Sequence, residues 1–360
     1  MSLFGKIIPL FLPKDQVVKT NDIPMEVIDK IVCFSNTAIG DTLFNTPIFK
    51  KLKEKFPSKE LVVVLNPSNY KLFETNPHID KIILYDGKTK NFFQTLKKLR
   101  DINPSLVLIL HSNEPQATPL AVLSGAKYIL KIPNNKNPFK KWHSNNPLSL
   151  VPNSHAITNR LKFLDFLRIK YSKCERMELF IKKEWNKEVE DFFKNIKYKE
   201  LIGFQIGAST ISRMWFEEKW IELGEKILDK YPKAKIVLTG SPSEKELTKK
   251  VKEGINNDRV LDLAGYFGIG GAAALIDKLD ILISPDTGPL HIATTLKTPT
   301  VGLFVVGNPI GTNACYDKEI HPYIQKDKTC TPCISKKCKY AKCMLQINPD
   351  EIITKIEGII

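Results

Sequence analysis

The 360-residue chain has no apolar run near the ~18–20 residues that cross a bilayer, so a spanning helix does not organise it. Its longest N-terminal apolar run, IIPLFLP at 7–13, is too short to span and lacks the small-residue cleavage site of a signal peptide. Two readings of MSLFGKIIPLFLPK remain: a frayed extension, or a weak membrane-surface anchor flanked by Lys6 and Lys14. Zinc-finger spacings, RNP-like aromatic motifs and a helix-turn-helix pattern are all missing, which leaves nucleic acid without a reader. No Gly-x-Gly-x-x-Gly follows an opening strand with an acid ~20 residues on, which argues against a nicotinamide-dependent oxidoreductase.

Acidic residues are scarce in one half only. Residues 1–180 hold 27 Lys+Arg against 15 Asp+Glu, whereas residues 181–360 hold 27 against 24. A field of that sign in the first half suits an anionic partner such as a membrane surface or a phosphorylated glycolipid. Cysteine is sparse too, but four of the seven crowd into CTPCISKKCKYAKCM as Cys330, Cys333, Cys338 and Cys343. Four thiolates can hold Zn²⁺, and an exported chain could form disulfides, although the spacings are tighter than those of common zinc ribbons. Without an export signal, reduced structural thiols are the expectation.

What is present reads as an ordinary globular protein, 42% apolar and 26% charged, long enough for two domains. Short apolar strand-like runs alternate with helical ones, the pattern of an α/β fold with parallel sheets. IVCFS (31–35), LVVVL (61–65), KIILY (81–85) and LVLIL (106–110) read as strands, and TLFNTPIFKKLKEKF (42–56) as one helix. The Asn-, Pro- and Lys-rich segment 132–155 reads as a long surface loop. After the charged helical stretch KKEWNKEVEDFFKNI the rhythm restarts with LIGFQIG, KIVLTG, VLDLAG, ILIS and TVGLF. The expected organisation is an extension over 1–27, a Rossmann-like domain over 28–180 and a second over 181–360. The last helix is free to pack back on the N-terminal domain. Ligands of open α/β sheets bind at the carboxyl ends of strands, so the polar turns there are candidate sites, expected to face an interdomain cleft.

Three turns carry candidate chemistry. In SNTAIGDT (35–42), Asp41 stands at the mouth of a helix, either as an N-cap or as a general base for a hydroxyl nucleophile. In ISPDTGPLH, Gly288 lets an anion approach the free N–H groups of a helix start, and Thr287 offers a hydroxyl. Asp286 would repel a phosphate, so it positions N–H groups or accepts from a sugar hydroxyl. His291 lies on roughly the face of Thr287, as a ligand or a site-orienting group. In GASTISRMW, Ser209, Thr210 and Arg213 follow a strand, and a guanidinium fork suits a diphosphate. Ser243 and Glu244 in GSPSEKE look like an ordinary helix cap.

Together these residues resemble glycosyltransferase family 9, the heptosyltransferases of the lipopolysaccharide inner core, over about residues 30–350. The likeness rests on AIGDTLFNTPIFKKLKEKFP, on ETNPHIDKII and above all on LAGYFGIGGAAALIDKLDILISPDTGPLHIATTLKTPTVGLF, with a CxPC…C…CM tail. It implies a GT-B fold, two Rossmann-like domains, and inverting transfer of heptose from ADP-heptose to an anionic lipopolysaccharide-core acceptor. It places Asp41 on the general base and Asp286, Thr287, Gly288 and His291 on the donor diphosphate and sugar. Arg213 falls where many members carry a Lys on the phosphates, and Glu244 on a ribose-binding acid. No cofactor is implied, and no Asp-x-Asp of the kind that holds Mn²⁺ or Mg²⁺ is present. The family works in the cytoplasm at the inner-membrane surface. Three departures stand out: Arg213 for Lys, Val-Val-Gly-Asn-Pro after GLF where a Gly-Pro-Thr turn is common, and the 132–155 loop. Rival readings are another nucleotide sugar on the same fold, for O-antigen, capsule or another glycan, or a sugar-nucleotide-binding module without catalysis.

Overall fold

The computed structural model describes residues 3–132, 138–144, 151 and 153–360. They form two compact units, Met1–Phe180 and Ile181–Ile360. The first contains one parallel sheet of β1 (Lys30–Ser35), β2 (Glu60–Leu65), β3 (Lys81–Leu84), β4 (Leu106–His111) and β5 (Tyr128–Lys131), in the order 3-2-1-4-5. Its helices are α1 (Leu3–Ile7), α2 (Ile39–Leu43), α3 (Thr46–Lys55), α4 (Tyr70–Phe73), α5 (Phe92–Ile102), α6 (Ala117–Leu123) and α7 (Ala156–Leu161). The central strands are buried along almost their whole length. Their continuous Val/Ile/Leu runs are what a parallel sheet covered on both faces requires.

The second unit repeats the plan with β6 (Leu201–Gln205), β7 (Lys235–Thr239), β8 (Val260–Asp262), β9 (Ile281–Pro285), β10 (Thr300–Phe304) and β11 (Tyr323–Gln325). Their order, 11-10-9-6-7-8, is again all parallel. Its helices are α8 (Lys183–Phe193), α9 (Glu217–Lys230), α10 (Lys245–Ile255), α11 (Ile269–Lys278), α12 (Gly288–Leu296), α13 (Pro309–Thr312) and α14 (Pro349–Glu357). In each unit the strand order reverses once, between β1 and β4 and between β6 and β9. The carboxyl ends of those four strands therefore flank the two crevices where such sheets take ligands.

Several expectations need correction. The 42–56 stretch is two helices, α2 and α3. The chain breaks between them at Phe44–Asn45, with Pro47 in the first turn of α3, where its missing N–H costs nothing. The N-terminal segment is not frayed. Ile8, Leu12 and Val17 are buried in the core of the first unit, and the Gln16 amide donates to Val122 O and Ala126 O. Of the 132–155 segment, residues 133–137, 145–150 and 152 lie outside the described residues. Its described centre is not a surface loop: Phe139 and Trp142 are buried in the same core, and the Trp142 indole donates to Pro13 O at 2.8 Å. The last helix packs on α9 of its own unit, its Ile352 and Ile356 fully buried there.

Candidate functional site

The turn after β1 is held by a buried polar lattice. Asn45 Nδ2 donates to Ser35 Oγ at 2.8 Å, Thr42 Oγ1 to Ser35 O at 3.1 Å, and Asn69 Nδ2 to Thr37 O at 3.0 Å. These bonds fix the turn where the chain leaves β1 and the sheet. Asp41 therefore enters α2 in one orientation, and it does not cap the helix, whose N-cap is Ala38 with no side-chain bond. Its carboxylate turns elsewhere. Oδ1 accepts from Arg160 Nη2 at 2.8 Å, and Arg160 Nη1 donates to the Asp41 carbonyl at 3.0 Å. The second oxygen, Oδ2, accepts from Thr37 Oγ1 at 3.3 Å and lies 3.5 Å from His111 Nδ1. Thr37 and His111 share a hydrogen bond of 2.6 Å.

Arg160 is almost fully enclosed, with its guanidinium over the Phe44 ring at 5.1 Å. Burial pulls its pKa down while the Asp41 charge opposes that fall. The fork grips the carboxylate and the backbone of one residue at once, which a lysine cannot do. None of Arg160, His111 and Thr37 was singled out from the sequence. His111 had a readable signal, since it ends β4 next to the strand reversal. Arg160 had none, being 119 residues from its partner.

The second unit has a matching arrangement at β6 and β9. Asp286, just past β9, is buried beside the Arg213 guanidinium and the His291 imidazole. Arg213 Nη2 lies 3.3 Å from Asp286 Oδ2, Arg213 Nη1 donates to the Asp286 carbonyl at 2.9 Å, and His291 Nε2 lies 3.6 Å from Oδ1. His291 is thus brought to Asp286 by the first turn of α12. No side chain caps that helix start: Thr287 Oγ1 instead meets Ser284 Oγ at 3.1 Å and Pro285 O at 3.3 Å. Among the described residues, the buried Arg213 Nε has no hydrogen-bond partner. Gly307 supports Asp286 from the turn after β10. A Cβ there would stand 2.6 Å from Asp286 Oδ2, so only glycine lets the acid keep its place.

Ser209 and Thr210 follow β6 on the same loop as Arg213; Ser209 is exposed and Thr210 Oγ1 lies 3.2 Å from the buried Ser212 hydroxyl. Glu244 is a capping acid, as its surroundings in the sequence suggested, accepting from Ser241 N at 2.6 Å. Its Oε1 also lies directly over Gly207, which brings it to the end of β6.

A comparison with protein families settles the lineage. Residues 139–344, more than half of the chain, match the model of glycosyltransferase family 9 (heptosyltransferase). The chain belongs to glycosyltransferase family 9. It is 25% identical over 283 residues to the lipopolysaccharide core heptosyltransferase OpsX of Haemophilus influenzae, covering 77% of this chain and 79% of that one. A family 9 glycosyltransferase from Veillonella parvula superposes with a TM-score of 0.78 at 22% identity, over 94% of this chain and 99% of that one. The ADP-heptose lipopolysaccharide heptosyltransferase II of Escherichia coli does so at 0.72 and 16%, over 92% and 98%. The fold of this glycosyltransferase is GT-B, and the enzyme is a transferase.

Among the described residues of this family 9 enzyme, no three His, Cys, Asp or Glu side chains stand where they could hold a metal ion. Cys330, Cys333, Cys338 and Cys343 are free thiols, and all four line one small cavity together with Ser212 of the Arg213 loop. Backbone N–H groups of Tyr340 and Ala341 on the Cys338 sulfur lower its pKa.

Proposed function

We propose that this enzyme transfers a heptose, with inversion, from ADP-heptose to the inner core of lipopolysaccharide. The observation that carries the reading is the Asp41 carboxylate, locked through Oδ1 by Arg160 while Oδ2 is turned to Thr37 and His111. A carboxylate held that way is suited to take the proton of an acceptor hydroxyl, and a protein that merely bound sugar nucleotides would have no use for it. As the proton passes to Asp41, the hydroxyl oxygen bonds to the anomeric carbon, and the bond from that carbon to the diphosphate breaks.

The leaving ADP gathers negative charge, which the second unit is built to receive. The uncapped start of α12 and the Arg213 guanidinium supply donors that gain strength as that charge develops. Asp286 holds Arg213 and His291 in register and keeps them from wandering when the donor is away. Ser209, Thr210, Thr287 and Gly288 complete the diphosphate and sugar contacts, with Glu244 near the ribose. The acceptor meets the first unit, whose surplus of lysine and arginine matches the carboxylates and phosphates of the core. The enzyme works in the cytoplasm, at the inner face of the membrane that carries this acceptor.

The test is a separation of turnover from donor affinity. Asp41→Ala is expected to lower kcat by roughly 10²–10⁴-fold, with ADP-sugar affinity within a few-fold of the parent. Near-normal turnover would remove Asp41 from the chemistry.

A further inference from the structure

Residues 3–14 place apolar side chains on both sides of one segment. Turned inward are Phe4, Ile8 and Leu12, which join the core of the first unit, with Phe4 edge-on to Phe92 at 5.0 Å. Turned outward are Leu3, Ile7, Leu10 and Phe11, which are 74%, 42%, 81% and 69% exposed. A helical segment that is apolar all round is ordinarily covered all round. Phe93, 73% exposed, packs edge-on against Phe92, the ring that Phe4 also touches.

Lysines outnumber acids around this patch. No acid occurs from Leu3 to Lys14, and Lys6 and Lys14 are exposed at its ends. Lys90, Lys97 and Lys98 are exposed on or just before α5, and the acids flanking these stretches are Asp15 and Asp101, both exposed, and Asp86, which pairs with Lys88. Exposed apolar side chains flanked by a surplus of lysines match the interface of an anionic bilayer, where acyl chains receive Leu and Phe and headgroups receive the ammonium groups. A protein partner of equal complementarity would need a row of acids around an apolar pocket.

We propose that Leu3, Ile7, Leu10 and Phe11, with Phe93, form a docking surface that inserts into the headgroup layer of an anionic membrane. The inner half of the segment anchors it to the rigid unit, through the buried Ile8 and Leu12 and the Gln16 and Trp142 hydrogen bonds. Insertion therefore seats the whole first unit on the lipid rather than a loose tail. The inference deepens the proposed function, which calls for a lipid-borne acceptor, but its test uses no sugar and stands apart from that reading.

The full-length enzyme is sedimented with phosphatidylcholine vesicles and with phosphatidylcholine–phosphatidylglycerol vesicles, at low and high salt. Binding to the mixed vesicles is expected to exceed binding to the neutral ones and to fall at high salt. A Leu10→Ser, Phe11→Ser double variant should lose about tenfold in partitioning while its melting temperature and ADP affinity stay those of the parent. Equal partitioning of parent and variant would overturn the proposal, as would a parent that ignores both vesicles. So would a patch that proves to join two copies, seen as a dimer that the double variant dissolves while vesicle binding is absent. Lys90→Glu with Lys97→Glu serves as a second variant that leaves the apolar patch alone, and it should weaken binding to the anionic vesicles only.

Discussion

Arg160 is the residue on which the Asp41 site turns. Its guanidinium is enclosed and ties both the side chain and the carbonyl of Asp41, so its loss strands a carboxylate that reaches water only in part. Arg160→Met is expected to destabilise the protein by about 2 kcal/mol, below the range for a fully buried pair because Asp41 retains some solvent. Arg160→Lys should recover much of that stability but little of the turnover, since a lysine cannot hold two acceptors of one residue in a fixed fork. Denaturant midpoints set beside kcat for both variants check this, and full recovery of kcat by lysine would contradict it. A different buried residue sets a pH limit. His143 is enclosed, and burial above all, with the charges of Lys131 and Lys19, pushes its pKa from 6.5 down to about 3. The unfolded chain takes up that proton near pH 6.5 and the folded chain only near 3. Stability is then complete above about 6.5 and drains as the pH falls toward 3, by up to about 1.4 kcal/mol per pH unit from this one group. His143 Nε2 lies 3.0 Å from Thr118 Oγ1, and His143→Gln, which keeps a polar partner there, should flatten the slope measured by denaturation at several pH values.

At the scale of elements, the long buried strands of both sheets could be read directly, because parallel strands covered on both faces are uninterrupted apolar runs. The short edge strands β5 and β11 could not: four and three residues are too few to stand out from loops. The 132–155 segment misled by composition. Its Asn, Pro and Lys content signals a surface, yet Phe139 and Trp142 inside it fill the core. The polar turns after β1, β6 and β9 were legible because a strand end that carries Asp, Thr, Gly or Arg has no packing reason to do so. Their partners were not legible, since Arg160 and Gly307 meet Asp41 and Asp286 only once the chain has folded. The Val-Val-Gly-Asn-Pro turn shows the point. It departs from the family's common turn in sequence, yet its Gly307 lies directly against Asp286. Gly307→Val should push that carboxylate aside and raise the donor KM about tenfold or more, the equivalent of about 1.4 kcal/mol, with an overpacking cost to stability of about 1–3 kcal/mol. A donor KM like the parent's would show that Asp286 does not organise donor binding.

For the molecule as a whole, two units built on one plan differ most in charge. The first holds 27 Lys+Arg against 15 Asp+Glu and the second 27 against 24. The strongly basic unit carries Asp41 and the outward apolar patch, and the nearly balanced one carries the Arg213–Asp286–His291 cluster. That division suits a large anionic lipid-borne acceptor on one unit and a small nucleotide on the other. The most direct measurement is to incubate the enzyme with ADP-heptose and a series of truncated lipopolysaccharide-core acceptors and to weigh the products. An inner-core acceptor is expected to gain the mass of one heptosyl residue, and Asp41→Ala to form that product roughly 10²–10⁴-fold more slowly. Absence of any gain with every core acceptor, from an enzyme that still binds ADP, would contradict it.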